Sequence, residues 1–136
     1  IINIVSHMNG GGPINIQDLN SLVPQIQSSE ASIHVHYWGE IPNHFTHALH
    51  KHSFFEFCYV TNGDGDYLEN GFRQHLYPGD LFLSKPDVWH QIEGGSRGIG
   101  LVFLAFELNE ESSAPALLNG YRRLLKTEKF FIYLRW

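Results

Sequence analysis

The stretch His50-Lys51-His52-Ser53-Phe54-Phe55-Glu56-Phe57-Cys58-Tyr59-Val60 decides how the rest of the chain is read. Its aromatic and β-branched residues predict a strand, and side chains on a strand alternate between two faces. One face then carries His50, His52, Phe54, Glu56, Cys58 and Val60. Two imidazoles and a carboxylate need partners on an otherwise apolar face, because burying such groups unpaired costs on the order of several kcal/mol. A cation would account for the grouping, since imidazole nitrogen and carboxylate oxygen suit Zn, Mn, Fe or Ni.

Outward from this stretch, residues 32 to 107 alternate short β-branched and aromatic runs with turn signals, as in sandwiches and barrels. Ile33 to Trp38 and Phe54 to Thr61 are expected strands, the second closed by Asn62-Gly63-Asp64-Gly65. Asn70-Gly71 between Asp66–Glu69 and Phe72–Leu76 predicts a hairpin, because Asn-Gly supplies the two positive φ values of a type I′ turn. Tyr77-Pro78-Gly79-Asp80 and Lys85-Pro86-Asp87 bracket a strand at Leu81–Ser84. Trp89 to Glu93 follows, and Gly94-Gly95-Ser96-Arg97-Gly98 reads as a loop before the last strand, Ile99 to Glu107.

The flanks differ in period. Ile16, Leu19, Leu22, Val23 and Ile26 predict a short helix or turn that Pro24 interrupts. Ser112 or Ser113 is expected to cap a helix with Pro115 in its first turn and Leu117, Leu118, Tyr121, Leu124 and Leu125 on one face. Asn119-Gly120 in its middle weighs about 1 kcal/mol against that helix. Gly10-Gly11-Gly12-Pro13 reads as flexible. Ser6-His7-Met8 resembles an expression-vector scar, which sets residues 1–7 aside. The chain lacks Met at position 1 and stops at Trp136, just after the apolar run Phe130–Leu134, so both ends read as cut. The expected organisation is an N-terminal arm at 1–31, a barrel at 32–108 and a truncated helical, dimerising segment at 109–136.

A chain of 136 residues, 43% of them apolar, fits one domain with a packed core. The longest apolar run, Ile99–Phe106, falls far short of the roughly 20 residues that span a bilayer. Cys58 is the single cysteine, so no internal disulfide forms, which suits a cytoplasmic location. The net charge of −5 argues against direct nucleic-acid binding. Arg122, Arg123, Lys126 and Lys129 read as a solvated helix face.

His50-x-His52-x3-Glu56-x6-Gly63 is similar to the first cupin motif, and Gly79-x10-His90 to the second. The leading Gly of the first motif is replaced by His44, Lys85-Pro86-Asp87 stands where the family has Pro-x-Gly, and Gly94 replaces the usual Asn. The resemblance implies an all-β, double-stranded β-helix (jelly-roll) barrel and assigns metal-ligand positions to His50, His52, Glu56 and His90. More narrowly, Glu56-Phe57-Cys58-Tyr59-Val60, Glu69-Asn70-Gly71, Leu76-Tyr77-Pro78-Gly79-Asp80 and Pro86-x3-His90 resemble the N-terminal sensing domain of AraC-type transcription regulators. That likeness implies a small-molecule effector, often a sugar or related metabolite, a dimerising helical segment, and helix-turn-helix motifs on a following domain that these residues do not include.

Each residue also has a plainer reading. The four motif positions can form a hydrogen-bonded lining with no metal. Phe54, Cys58, Trp89 and Trp38 are candidate effector contacts, although a lone buried Cys usually acts as a small hydrophobe and both Trp rings can be core. His34 and His36 lack a companion carboxylate and read as ordinary strand residues, His44 and His47 as solvated, and His75 as an exposed edge residue. The expectation is a sensor rather than an enzyme. The alternative is a free-standing metal-dependent cupin enzyme, a dioxygenase or isomerase, because an open coordination position serves binding and catalysis alike.

Overall fold

The computed structural model describes residues 15–127 and the backbone of 134–135. The glycine run at 10–13, the scar-like Ser6-His7-Met8, Lys129 and the apolar residues 130–133 lie outside the described residues. In chain order the elements are α1 (Ile16–Leu22), β1 (Gln25–Gln27), β2 (Ser32–His44), β3 (Phe55–Glu69), β4 (Phe72–Leu76), β5 (Asp80–Ser84), β6 (His90–Leu108), α2 (Pro115–Lys126) and β7 (Leu134–Arg135). The strands pair antiparallel in the order β1-β2-β6-β3-β5-β7, with β4 on the far half of β3. This is the expected all-β cupin barrel with a short C-terminal helix.

Asn15 starts α1 through a capping box with Asp18, and Pro24 follows its end. The helix lies on β2, where the Asn20 side chain accepts from the Trp38 N–H (2.8 Å) and donates to the Trp38 carbonyl (2.9 Å). The Asn70-Gly71 hairpin forms as predicted, with φ of 48° and 78°.

Two expected turns are instead parts of strands. Residues 62–65 do not close β3, and Gly94–Gly98 does not separate two strands, because β3 and β6 run on through them for 15 and 19 residues. Register shifts between Val60 and Asn62 and between Gly63 and Gly65 let β3 bend without breaking. The bend needs close backbone approach. A Cβ on Gly63 (φ 69°) would lie 2.1 Å from the Gly98 carbonyl oxygen. The bulge also switches phase, so the buried residues of β3 change from Cys58 and Val60 to Gly65, Tyr67 and Glu69.

The core of the barrel gathers Cys58, Val60, Tyr67, Leu76, Phe82, Ile92, Ile99 and Leu101, with Phe103 packed against it. On the other face Phe106 stacks on Phe55 and Phe57, and Tyr121 of α2 lies 5.5 Å from Phe55. Burying rings of this size contributes roughly 1.5–3 kcal/mol each. The cap of α2 differs from expectation. Ala114 holds the N-cap position with no side-chain hydrogen bond, because the Ser113 hydroxyl donates to Asn109 O (2.6 Å) and accepts from Ser32 N–H (3.1 Å). The helix continues unbroken through Asn119-Gly120.

Candidate functional site

His50 to Phe54 precede β3 instead of forming its first residues, so the two histidines do not reach the site by strand parity. Residues 44–50 run along the first residues of β6, through bridges Thr46↔Glu93 and His50↔His90. His50 and His90 exchange both backbone hydrogen bonds, at 3.1 and 2.9 Å. His52 is placed by its carbonyl, which accepts from the Asp87 N–H at 2.8 Å.

These contacts bring three imidazoles together. One ring nitrogen from each of His50, His52 and His90 lies within 4.8 Å of the other two. The Nδ1 atoms all face backbone carbonyls: Ala48 O for His50 (3.0 Å), Phe54 O for His52 (2.7 Å) and Val88 O for His90 (2.9 Å). A carbonyl only accepts, so each Nδ1 carries the proton and each Nε2 presents a lone pair. The Nε2 atoms of His52 and His90 are buried and have no hydrogen-bond partner among the described residues. Burial, then repulsion from His50 and His52, lowers the His90 pKa to about 4, although its bond to Val88 O opposes this. With their Nδ1 atoms held this way, the three rings turn their Nε2 atoms toward one point. That fits a divalent ion, whose histidine ligands characteristically donate their other N–H to a carbonyl.

Glu56, the fourth expected ligand, does not join this group. Its carboxylate accepts from the Tyr37 hydroxyl (3.4 Å) and the Cys58 thiol (3.5 Å). Burial and the neighbouring Glu56 push the Tyr37 hydroxyl up to about 12 and the Cys58 thiol well above its usual range. Tyr37 is a site neighbour that the sequence reading did not single out, and its cross-strand row with Ala105 and Glu56 was hidden by the long-range register.

The candidate effector contacts divide. Phe54 stacks face to face on His52, with centroids 4.3 Å apart and planes at 3°. Cys58 is part of the core cluster. The Trp38 indole N–H donates to Val23 O (3.3 Å), beyond the end of α1. Trp89 is 50% exposed, with the Lys51 ammonium 5.4 Å above its ring. Deeper in the barrel, the fully buried Tyr67 hydroxyl donates to Glu69 (2.8 Å) and lies 3.2 Å from the Ser84 hydroxyl, while its ring stacks 5.9 Å from His90. Burial raises the Glu69 carboxyl above its usual value despite Tyr67 and Lys85. Residues i and i+2 after the bulge are the signal that locates this pair.

The other histidines are resolved by their neighbours. His36 approaches Glu107 at 3.2 Å, and half-buried His75 sits between Asp66 (2.7 Å) and Asp64 (3.6 Å). His44 corrects the expectation of solvation, being 7% exposed, because it ends β2 paired with the fully buried Ile99 of β6. No helix among the described residues is long and apolar enough to cross a membrane.

A Bacillus subtilis (strain 168) protein described as an uncharacterized HTH-type transcriptional regulator, YfiF, is 45% identical over 96 residues, which is 71% of this chain and 30% of that protein. Similar solved structures include the DMSP lyase DddQ from Ruegeria pomeroyi DSS-3, 20% identical over 62% of this chain and 42% of that one, with a TM-score of 0.46. A predicted oxalate decarboxylase from Thermotoga maritima is 18% identical over 65% of this chain and 96% of that one, with a TM-score of 0.47. The model of the AraC-like ligand binding domain matches residues 32–124, the stretch that holds the barrel, the three imidazoles and most of α2. By that match the chain belongs to the AraC-like ligand binding domain family.

Proposed function

We propose that this domain is the effector sensor of an AraC-type transcription regulator, that it binds and does not catalyse, and that the imidazole triad holds a divalent metal ion facing the effector. The observation that carries the reading is the set of three Nδ1–H···O=C contacts, which turns three Nε2 lone pairs toward one another with two of them buried and unpartnered. Membership of a ligand-binding family supports the sensor role, and the regulator relative, of which this chain spans 30%, supports a DNA-reading part elsewhere in the parent protein.

His50, His52 and His90 are the ligands in this reading. A bound ion would offer an oxygen of the effector an open coordination position. Phe54 fixes the His52 ring by stacking and supplies an apolar wall, and on the far side of Phe54 the Tyr37 ring lies 5.7 Å away with its hydroxyl bonded to Glu56. Such a lining suits a small polar or anionic metabolite, a sugar derivative among them.

Elemental analysis of protein purified without chelator or nickel resin, followed by uptake of added Zn, Mn and Fe, tests the reading. Wild type is expected to hold one tightly bound ion per chain, His34→Ala to retain it and His52→Ala to lose it. A wild type that carries no ion and takes none up would make these residues a metal-free polar lining.

A further inference from the structure

Two more imidazoles continue the triad toward solvent. His44 ends β2, and its ring centroid is 4.1 Å from that of His47, which in turn is 5.7 Å from His50. With the contacts of His50 to His90 (4.5 Å) and His90 to His52 (4.8 Å), the five rings form one continuous row. His44 carries the mark found on His52 and His90: it is 7% exposed, and its Nε2 is buried with no hydrogen-bond partner among the described residues. Leaving such a nitrogen buried and unpaired is costly, so its retention calls for a ligand.

His47 differs in being exposed at its side chain and fixed at its backbone. Its N–H donates to Ile92 O (3.2 Å), and its carbonyl accepts from the Gln91 side chain (2.7 Å). A firmly held backbone thus presents an adjustable imidazole beside a buried one.

We propose that His44 and His47 form a second cation site, for a borderline divalent transition metal such as zinc, which captures the ion at the surface and passes it through His50 to the triad. Two imidazoles with water completing the coordination bind more weakly than three, which suits capture and release. The transfer to the triad rests on the function proposed above. The outer site itself does not.

Calorimetric zinc titration of wild type, His47→Ala, His44→Gln with His47→Ala, and His52→Ala with His90→Ala tests this, with circular dichroism as the check on folding. His47→Ala keeps the backbone contacts of residue 47, so it reads the site even where the His44 variant fails to fold. Wild type is expected to bind two zinc ions per chain with distinct affinities. His47→Ala should lose the weaker ion and fill the remaining site more slowly in stopped-flow mixing, and the inner variant should keep only the weaker ion. A weaker ion that persists unchanged in His47→Ala overturns the outer site, as does a single wild-type ion lost with the inner variant and untouched by His47→Ala. If His47→Ala loses one ion while the inner variant keeps both, the outer site stands and the triad reading falls.

Discussion

His50 and His90 are joined through their backbones alone, each N–H donating to the other's carbonyl, and this sets their rings 4.5 Å apart. Position 90 can therefore lose its imidazole and keep the bridge. The ring is 1% exposed, and its unpartnered Nε2 burdens the metal-free fold by about 1–3 kcal/mol. Metal-free His90→Leu is expected to be at least as stable as metal-free wild type, with the imperfect fit of the new side chain offset by the removed polar atom. Thermal unfolding with and without zinc should show a larger rise in Tm for wild type than for the variant.

The two positive-φ glycines of β3 and its hairpin should respond differently to one methyl group. At Gly63 the added Cβ meets the Gly98 carbonyl, and at Gly71 it meets nothing within 4 Å. Gly71→Ala carries only the conformational cost of about 1 kcal/mol. Gly63→Ala adds a backbone collision inside the bulge and is expected to cost about 3 kcal/mol or more. Urea unfolding of both variants measures the difference, and equal midpoints would mean that the bulge yields easily.

Acid should loosen the outer face of the β3–β4 hairpin. Burial alone would raise the Asp66 carboxyl, but hydrogen bonds from His75 (2.7 Å) and Arg73 (2.6 Å) outweigh it and hold the group below its usual 3.8. A carboxyl depressed in the folded state contributes stability that is present above its unfolded pKa and lost as pH falls through the folded one. Wild-type stability should therefore drop as pH falls below 3.8. Asp66→Asn should be less stable than wild type at neutral pH and decline less steeply in acid, which urea midpoints at several pH values would record.

Helix α2 buries none of its residues, and Leu117 and Leu125 are 39% and 42% exposed. Weak self-association through this face is expected, with light scattering showing a mass that rises toward a dimer across a concentration series. Leu125→Asp should hold the protein monomeric. A wild type that stays monomeric throughout would assign the face to contacts within its own chain.

The hairpin at Asn70-Gly71 and the turn at Gly79 were legible because each depends on a few adjacent residues with unusual φ. The convergence of His50, His52 and His90 was legible from the motif, yet the parity argument for it misplaced the local structure. His50 is held by a cross-strand bridge, not by the alternation of β3. Glycine runs misled in the same way. A glycine is equally suited to a turn and to a strand that another backbone crosses closely, and only the partner (Gly98 for Gly63, the carbonyls of His44 and Phe45 for Gly94) tells them apart. The engagement of Glu56 by Tyr37 and the burial of His44 depend on register between distant strands, which no short window contains.

The place of β6 in the sheet, between β2 and β3, bears on how the chain is born. The last long strand of the barrel to leave the ribosome is the neighbour that both earlier strands require, and the closing contact joins Ser32 to Ser113 across 81 residues. Until β6 emerges, β2 and β3 carry open pairing edges and an unburied apolar face, the features that invite wrong partners. So distant a closure makes for slow folding and for a nascent chain that needs shelter until nearly all of the barrel has been made.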